Sequence, residues 1–391
     1  MGIKKLFLLF FFAMLLFSAF AVTYNYLDSR LTGSSIRTMR VRDGLAMQRT
    51  VTIPEGLEPI SAEDFLLAME EEIRDLTDEE FREAIERDFF PGVALGETFW
   101  SDSTDLIFER EAISERIINI LFLGDDARIY QDRGRSDTII LISYNRDTHV
   151  ISLTSFMRDI LIPSSHNGTY WNRINLMHAL GGPGRTINHL NELFSLDIQR
   201  YAVVRFSGVF ALVDALEGLE LFLSAPEALM INRIFPDYHP LEPGINVLDG
   251  RQVLAYSRLR AIDNDLVRTQ RQRNVLRGLL EKVLDSRNVG HIFTMAAFAL
   301  DHVETNIPLH EIIRWGAEIF SGPRPEVEEL RIPIDGSFGH ALFNEAYILT
   351  IDFEENIMAL HDGIYGNTED LWIPEIVWPR LDPILSALPL D

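Results

Sequence analysis

Residues 117–128 read IINILFLGDDAR, and this stretch decides the predicted fold. The apolar run ends at Gly124 and is typical of a buried strand. Two further strands are predicted at 138–144 (TIILISY) and 149–156 (HVISLTSF), and the turn NRDT at 145–148 joins them as a hairpin. The three runs therefore predict three strands, the last two of them paired in a hairpin.

Downstream of this hairpin, predicted helices and strands alternate. Helices are predicted at 173–194 (interrupted or preceded by Gly181–Gly184), 207–217, 249–256, 292–301 and 309–320, and from Asn264 with an apolar stripe over 276–284. Strands are predicted at YAVVRF (201–206), LELFLS (219–224), 328–333 and 346–352. A loop is predicted between LELFLS and about residue 247. The alternation predicts an α/β fold, with a mixed central β-sheet flanked by helices.

The totals exclude several classes of protein. The chain has 391 residues, which is room for one large domain or two ordinary ones, and 47% of them are hydrophobic. The formal net charge of −24 argues against nucleic-acid binding, because phosphate backbones are held by a basic field. With no cysteine, disulfides and thiolate metal sites are excluded.

The N-terminus carries a targeting signal. Lys4 and Lys5 precede residues 6–22, which hold no charged side chain. A membrane-spanning helix needs about 20 apolar residues, with a lower limit near ~17. We predict an uncleaved membrane anchor and export of the rest of the chain, and the alternative is a secreted chain cleaved near Ala21. The arginines that follow residues 6–22 outnumber the two lysines that precede them, so the distribution of positive charge leaves the orientation of the segment in the membrane open.

Four regions follow from these signals. Residues 1–30 form the cytoplasmic tip and the anchor, and residues 31–115 form a linker and an acidic helical spacer. The spacer, Ser61–Phe90, has twelve acidic residues and three arginines. We interpret it as a solvent-exposed, charged helical segment and assign it no catalytic role. The main α/β domain is predicted at 116–365 and a C-terminal tail at 366–391.

Charged side chains stand where the predicted strands begin or end. The Asp125–Asp126 pair follows the first strand, Asp137 precedes the second, and Arg158–Asp159 follows the third. Such positions are suited to lining one cleft. The carboxylates of Asp126 and Asp137 are of the kind that Mg²⁺ uses together with water and phosphate oxygens. Taken singly, each of these residues is also typical of a turn or a helix cap.

Residues 256–273, YSRLRAIDNDLVRTQRQR, gather five arginines on an acidic chain. Arg268 and Gln272 are four apart, so on a helix both face the packed side. Arg258 and Arg260 alternate, so on a strand both would face one side. The planar guanidinium group suits a diphosphate because it donates bidentately and stays charged.

The two remaining arginines of this stretch, Arg271 and Arg273, are predicted to point elsewhere, and Arg273 reads as a surface residue. Carboxylates with a metal ion, opposite several arginines, predict a site for phosphoryl chemistry.

Seven segments in a fixed order resemble the motifs of the LytR-CpsA-Psr family. They are LFLGDDAR, GRSDTIILIS, SFMRD, RINLMHALGG, LDGRQVLAYSRLR and NDLVRTQRQR, all within about residues 116–285, and VETN at 303–306. The resemblance implies a membrane-anchored, extracytoplasmic bacterial α/β protein, with residues 116–365 as its catalytic domain. Such proteins are thought to move glycopolymers from a polyprenyl-diphosphate carrier onto peptidoglycan.

The resemblance also implies roles for individual residues. Asp126 and Asp137 match the carboxylates on the Mg²⁺ side, and the catalytic set would be Asp137, Arg158 and Arg268. The implied diphosphate-binding residues are Arg158, Arg258, Arg260, Asp265, Arg268 and Gln272. Asp125 stands where the family often has a small residue, which leaves open which aspartate of the pair faces the metal ion.

The expected function is a Mg²⁺-dependent phosphotransferase in cell-wall assembly. Its partners would be a polyprenyl-diphosphate-linked glycopolymer, a peptidoglycan acceptor and the membrane, with no nucleic acid. Asp137 or Asp159 could accept the proton of a sugar hydroxyl. Phe206, Phe210, Leu212 and the 276–284 stripe could enclose the lipid, although ordinary core packing explains them equally.

Two alternatives stay open at this point. One is a module that binds polyprenyl phosphate or diphosphate without transfer, and the other is a diphosphatase that uses water as acceptor. A transcription regulator is disfavoured by the net charge and by the absence of a recognisable DNA-binding motif.

Overall fold

The structure is a computed structural model that describes residues 107–125, 134–163, 171–259, 265–285, 302–343 and 346–366, together with short strands at 38–40, 50–52, 57–59 and 375–377. The predicted anchor, acidic spacer and helix at 292–301 lie outside these residues. Within the described ranges, no helix combines the length and the apolar content that a membrane crossing requires.

The chain forms seventeen strands and seven helices over the described residues. The strands are β1 Thr38–Arg40, β2 Thr50–Thr52, β3 Leu57–Pro59, β4 Ile107–Glu109, β5 Ile117–Asp125, β6 Ser136–Asn145, β7 Val150–Phe156, β8 Leu161–Pro163, β9 Trp171–Arg173, β10 Arg200–Arg205, β11 Leu219–Leu223, β12 Gly244–Leu248, β13 Val303–Thr305, β14 Glu326–Ile332, β15 Phe338–Phe343, β16 Ala346–Ile351 and β17 Glu375–Val377. The helices are α1 Leu176–Leu193, α2 Phe206–Ala215, α3 Ala225–Ile234, α4 Gly250–Arg258, α5 Asp265–Asp285, α6 Leu309–Ser321 and α7 Phe353–Tyr365.

A six-stranded mixed sheet lies at the centre, in the order β13-β10-β5-β6-β7-β14. The middle strands β5, β6 and β7 are antiparallel, and the predicted hairpin between β6 and β7 is confirmed. Strand β10 runs parallel to β5, and β14 runs parallel to β7, so helical connections return the chain to the sheet on both sides. The sheet is therefore mixed, as the sequence predicts.

One face of the sheet is covered by α1 and α7. Leu123 and Leu141 point from the strands into a core that also contains Leu190 of α1 and Ile357 of α7. All four side chains are buried. Helix α1 is interrupted at Gly181 and Gly182, where the backbone leaves helical geometry, which confirms the predicted interruption.

Helices α5 and α6 cover the opposite face. Ile140 and Leu153 of the sheet pack against Leu276 and Leu280 of α5 and Ile319 of α6. The odd and even residues of the strands thus serve two different cores, as expected of a sheet buried on both sides. The predicted arrangement of a central sheet between helices is confirmed.

A third core lies beside the sheet. It is built from α2, α3, α4 and the β11–β12 hairpin, and α5 contributes Val275 and Leu279 to it. Helix α5 consequently packs against two cores at once, which fixes its position relative to the sheet. Leu212 is buried in this third core, and the side chains of Phe206 and Phe210 lie outside the described residues.

One part of the predicted secondary structure is wrong: the segment predicted as a loop up to about 247 contains α3 and β12. The helix predicted at 249–256 is confirmed as α4, which extends to Arg258. Ser224 and Glu227 form a capping box at the start of α3, with Pro226 at its first turn. Helix α7 and strand β15 were not predicted.

Candidate active site

Asp137 is the extra residue of a β-bulge. In the β5–β6 ladder Gly124 pairs with Thr138, whereas Asp125 pairs with Ser136, so Asp137 has no counterpart on β5. A bulge re-aims a side chain and is frequent beside active sites. Asp137 is partly exposed accordingly, while the flanking Ser136 and Thr138 are buried.

The guanidinium group of Arg158 joins two carboxylates. Arg158 follows β7 by two residues, and its Nη1 donates to both Oδ1 and Oδ2 of Asp137 at 3.2 Å. Its Nε donates to Oδ2 of Asp159, also at 3.2 Å. All three side chains are partly exposed. The structure thus brings together charged residues from the ends of two neighbouring strands.

Arg173 extends this cluster and was missed by the sequence reasoning. It is the last residue of β9, and its Nη1 donates to Oδ1 of Asp159 at 3.0 Å. The signal that could have found it is its place at the head of the motif RINLMHALGG.

Arg268 reaches the cluster from helix α5. Its side chain is 3% exposed, and its Nη2 lies 3.8 Å from Oδ2 of Asp137. Gln272, one turn further along, is also buried, so the four-residue spacing does place both on the packed side of the helix. A buried cation is costly to hold, and the nearby carboxylate offsets part of that cost.

The electrostatic character of the cluster favours an anion. Three guanidinium groups (Arg158, Arg173 and Arg268) surround two carboxylates (Asp137 and Asp159), on a chain whose formal net charge is −24. Guanidinium groups donate bidentately to phosphate oxygens and remain charged at any working pH. The arrangement can hold a phosphate or diphosphate and stabilise negative charge that develops on it.

The remaining predicted site residues fall into two groups. Arg258 is the last residue of α4, so the prediction that it alternates with Arg260 along a strand is wrong for Arg258. Its side chain is half-buried. Asp126 and Arg260 lie outside the described residues, and so does the side chain of Asp265, the first residue of α5.

Arg271 and Arg273 are internal residues, so the prediction that Arg273 lies at the surface is wrong. Nε of Arg271 donates to Oε1 of Glu227 at 2.7 Å, and its Nη1 donates to the Leu259 carbonyl at 2.9 Å. Nε of Arg273 donates to Oε2 of Glu329 at 3.2 Å. These two arginines therefore attach α5 to α3 and to β14, and their charges are used inside the fold.

A Mg²⁺ ion fits the chemistry of this site in one respect. Asp137 offers carboxylate oxygens, and Mg²⁺ typically takes one or two carboxylates and completes its shell with water and phosphate oxygens. In the part of the chain that the structure describes, no group of three or more His, Asp or Glu side chains is placed to hold a metal ion. Asp126, the other expected ligand, lies outside that part.

Two curated relatives resemble the chain over about half its length. Biofilm regulatory protein A of Streptococcus mutans is 30% identical over 207 residues, which cover 50% of this chain and 51% of that protein. The polyisoprenyl-teichoic acid–peptidoglycan teichoic acid transferase TagU of Enterococcus faecalis is 29% identical over 191 residues, covering 48% and 60% respectively. The chain therefore spans only about half the length of the first relative.

A structural comparison and a family profile relate the chain to known proteins. The solved structure of the LytR-CPS2A-psr family protein YwtF (TagT) with bound octaprenyl pyrophosphate lipid superposes with a TM-score of 0.50 at 21% identity, over 70% of this chain and 99% of that one. At this identity the likeness shows the shared fold. The sequence profile of the LytR_cpsA_psr family matches residues 103–357, which is more than half of the 391 residues. The protein thus belongs to the LytR_cpsA_psr family.

Proposed function

We propose that this protein is a Mg²⁺-dependent phosphotransferase that moves a glycopolymer from a polyprenyl-diphosphate carrier onto peptidoglycan. The observation that carries the proposal is the convergence of Arg158 and Arg268 on Asp137, with Arg173 beside Asp159. Two related proteins support the choice of substrate. The relative from Enterococcus faecalis is named a teichoic acid transferase, and TagT was solved with octaprenyl pyrophosphate lipid.

The reaction transfers a phosphoryl group that carries the polymer. A hydroxyl oxygen of the acceptor sugar attacks the phosphorus next to the glycopolymer, and a new phosphorus–oxygen bond forms. The bond from that phosphorus to the bridging oxygen breaks, and polyprenyl phosphate leaves with the electron pair. Arg158 and Arg268 would hold the diphosphate and stabilise the negative charge on the leaving phosphate.

The hydroxyl proton needs an acceptor close to the phosphorus. Asp137 and Asp159 are both partly exposed, and arginine side chains hold each carboxylate in place. Either carboxylate can take the proton as the new bond forms. Arg173 would keep Asp159 oriented, because its Nη1 donates to Oδ1 of that residue.

The metal ion would be held by Asp137 together with Asp126. When bound, Mg²⁺ supplies positive charge that neutralises the diphosphate oxygens. The other members of the proposed diphosphate-binding set are Arg258, Arg260, Asp265 and Gln272.

The substrate class also sets the place of action. A carrier with a polyprenyl chain resides in the membrane, and peptidoglycan lies outside it. We therefore place the domain on the outer side of the bacterial cell membrane, held there by residues 6–22.

The product of a single incubation tests the proposal. Full-length protein in detergent is given a polyprenyl-diphosphate-linked saccharide and peptidoglycan fragments, with Mg²⁺ or with a chelator, and the products are identified by mass spectrometry. We expect a saccharide-phosphate adduct on the glycan, formed only with Mg²⁺. Free saccharide phosphate without an adduct would show a diphosphatase instead, and intact substrate in every sample would show a binding module.

A further inference from the structure

We propose that Asp125 and His178 form a buried positioning pair, called here the Asp125–His178 clasp, that holds the bulge at Asp137 in place. The catalytic meaning of the clasp rests on the proposed function, whereas its structural effect does not. Asp125 would then contact neither the diphosphate nor the metal ion.

Asp125 faces the interior of the protein. It is 1% exposed, although it is the last residue of β5 and the next residue along is an expected metal ligand. Its Oδ1 accepts a hydrogen bond from the backbone N–H of Gly134 at 2.8 Å. This bond joins the two ends of the segment between β5 and β6, which places the start of β6 against the end of β5.

Gly134, the residue held in this way, lies shortly before the bulge. Ser136 pairs with Asp125 in the ladder, and Asp137 is the extra residue that follows. The backbone N–H of Ser136 donates to the carbonyl of Asn175 at 3.2 Å. Gly134 and Ser136 are thus each fixed by a hydrogen bond, one to Asp125 and one to the start of α1, immediately before the bulged residue.

His178 closes the clasp from the first turn of α1. It is 1% exposed, and its Nε2 lies 3.7 Å from Oδ2 of Asp125. Over the described residues, neither ring nitrogen of His178 has a hydrogen-bond partner, and Nε2 lies within ion-pair distance of the buried Asp125 carboxylate. A buried polar group without a hydrogen bond is costly to hold, and the carboxylate beside Nε2 offsets part of that cost.

The start of α1 connects the clasp with the arginine of the site. Asn175 and His178 are three residues apart on the same face of the helix start. The backbone N–H of Asn175 donates to the carbonyl of Arg158 at 3.3 Å, while its own carbonyl accepts from Ser136. A shift of this turn would therefore move both Arg158 and the residue before Asp137.

The clasp also bears on which aspartate of the Asp125–Asp126 pair would face the metal ion. Asp125 is turned inward and bonded to Gly134, so Asp126 is the member of the pair that we assign to the metal ion. Residues that orient a ligand without touching the metal typically change affinity or activity by about 10–100-fold when they are replaced.

Two substitutions at one position separate positioning from direct contact. In full-length protein, Asp125→Asn keeps an oxygen that can accept from Gly134, whereas Asp125→Ala removes it. Asp147→Ala, an exposed aspartate in the β6–β7 turn, is the control. Hydrogen exchange of peptides that contain Gly134 and Ser136 reports the bulge without any substrate, and turnover at varied Mg²⁺ reports its effect on the site.

We expect Asp125→Ala to exchange about tenfold faster in these peptides and to lower kcat by about 10–100-fold, while Asp125→Asn stays within about threefold of the parent in both. If Asp125→Ala does not fold, His178→Ala should raise the exchange in the same peptides. Unchanged exchange in both alanine variants would overturn the clasp. Loss of activity in Asp125→Asn as complete as in Asp126→Asn would show direct contact instead. A parent without turnover refutes the proposed function, and the exchange data then still decide on the clasp.

Discussion

Arg268 and Asp137 meet although one belongs to a helix and the other to the bulged end of a strand: Nη2 of Arg268 lies 3.8 Å from Oδ2 of Asp137. Helix α5 is held by two cores, through Leu276 on the sheet and Leu279 on the neighbouring cluster. The guanidinium group is therefore in place before a substrate arrives. Preorganised charge of this kind stabilises a transition state without reorganisation during the reaction.

Replacing Arg158 even by lysine is expected to reduce glycan transfer. Arg158→Lys keeps the charge but cannot reach Asp137 and Asp159 at the same time, because an ammonium group lacks the planar fork. We expect kcat/KM for transfer to fall by about 10²–10³-fold in Arg158→Lys, with Arg158→Ala at least as low. Steady-state kinetics of the full-length variants measures this.

The matched control for this prediction is Arg146→Lys. Arg146 follows β6 at the opposite end of the strand from Asp137, and its partner is Glu318 on α6. Transfer by that variant should stay near the parent rate. Equal losses in the two lysine variants would mean that the effect of position 158 comes from general destabilisation.

Arg271 is expected to be a stability residue. Its guanidinium is 1% exposed and hydrogen bonded to Glu227, so Arg271→Ala leaves a carboxylate without its main partner. We expect the free energy of unfolding to fall by about 3–5 kcal/mol. Arg277→Ala, on the same helix but 42% exposed, should lose no more than about 1 kcal/mol.

Urea titration of the two variants tests this difference. The midpoint of Arg271→Ala should move well below that of Arg277→Ala, with similar slopes. Midpoints that coincide would contradict the assignment of Arg271 to the interior.

Acid should weaken the attachment of α5 to β14. Burial pushes the pKa of Glu329 upward, but hydrogen bonds from Gln270 and Arg273 outweigh it, so the pKa lies below its ordinary value. A carboxylate whose pKa is lowered by folding stabilises the protein above its unfolded pKa of about 4.3, and this contribution disappears as the pH falls through the folded value. Glu227, held by Arg271 and Ser224 against the same effect of burial, shifts in the same direction.

Thermal unfolding as a function of pH tests the contribution of Glu329. Between about pH 7 and about pH 3 the parent should lose more thermal stability than Glu329→Gln, because the variant has no carboxylate to protonate. Parallel curves for the two proteins would show that Glu329 does not contribute.

The sequence predicts well those features that depend on local pattern. The apolar runs of β5, β6 and β7 and the stripe of α5 give the correct type of element, because residues buried on both faces of a sheet or along one helix face leave a clear period. The four-residue spacing of Arg268 and Gln272 likewise predicts their common orientation.

The features that the sequence does not predict depend on distant contacts. The bulge at Asp137 follows from a ladder between two strands, and no residue within β6 indicates it. Arg273 looks like a surface residue until β14 brings Glu329 to it. Helix α3 was missed for a different reason: its capping box from Ser224 to Glu227 was a local signal that the loop prediction overlooked.

The most direct test of the central claim compares Arg268→Ala with Arg277→Ala, two substitutions of one kind on one helix. Binding of a short-chain polyprenyl diphosphate to full-length protein is measured by calorimetry, and glycan transfer is measured with Mg²⁺ on the same samples. We predict that Arg268→Ala loses transfer by at least about 10²-fold and binds the diphosphate more weakly, while its thermal unfolding stays close to that of the control. Normal transfer by Arg268→Ala would contradict the account, because the cluster around Asp137 would then not be the site of the reaction.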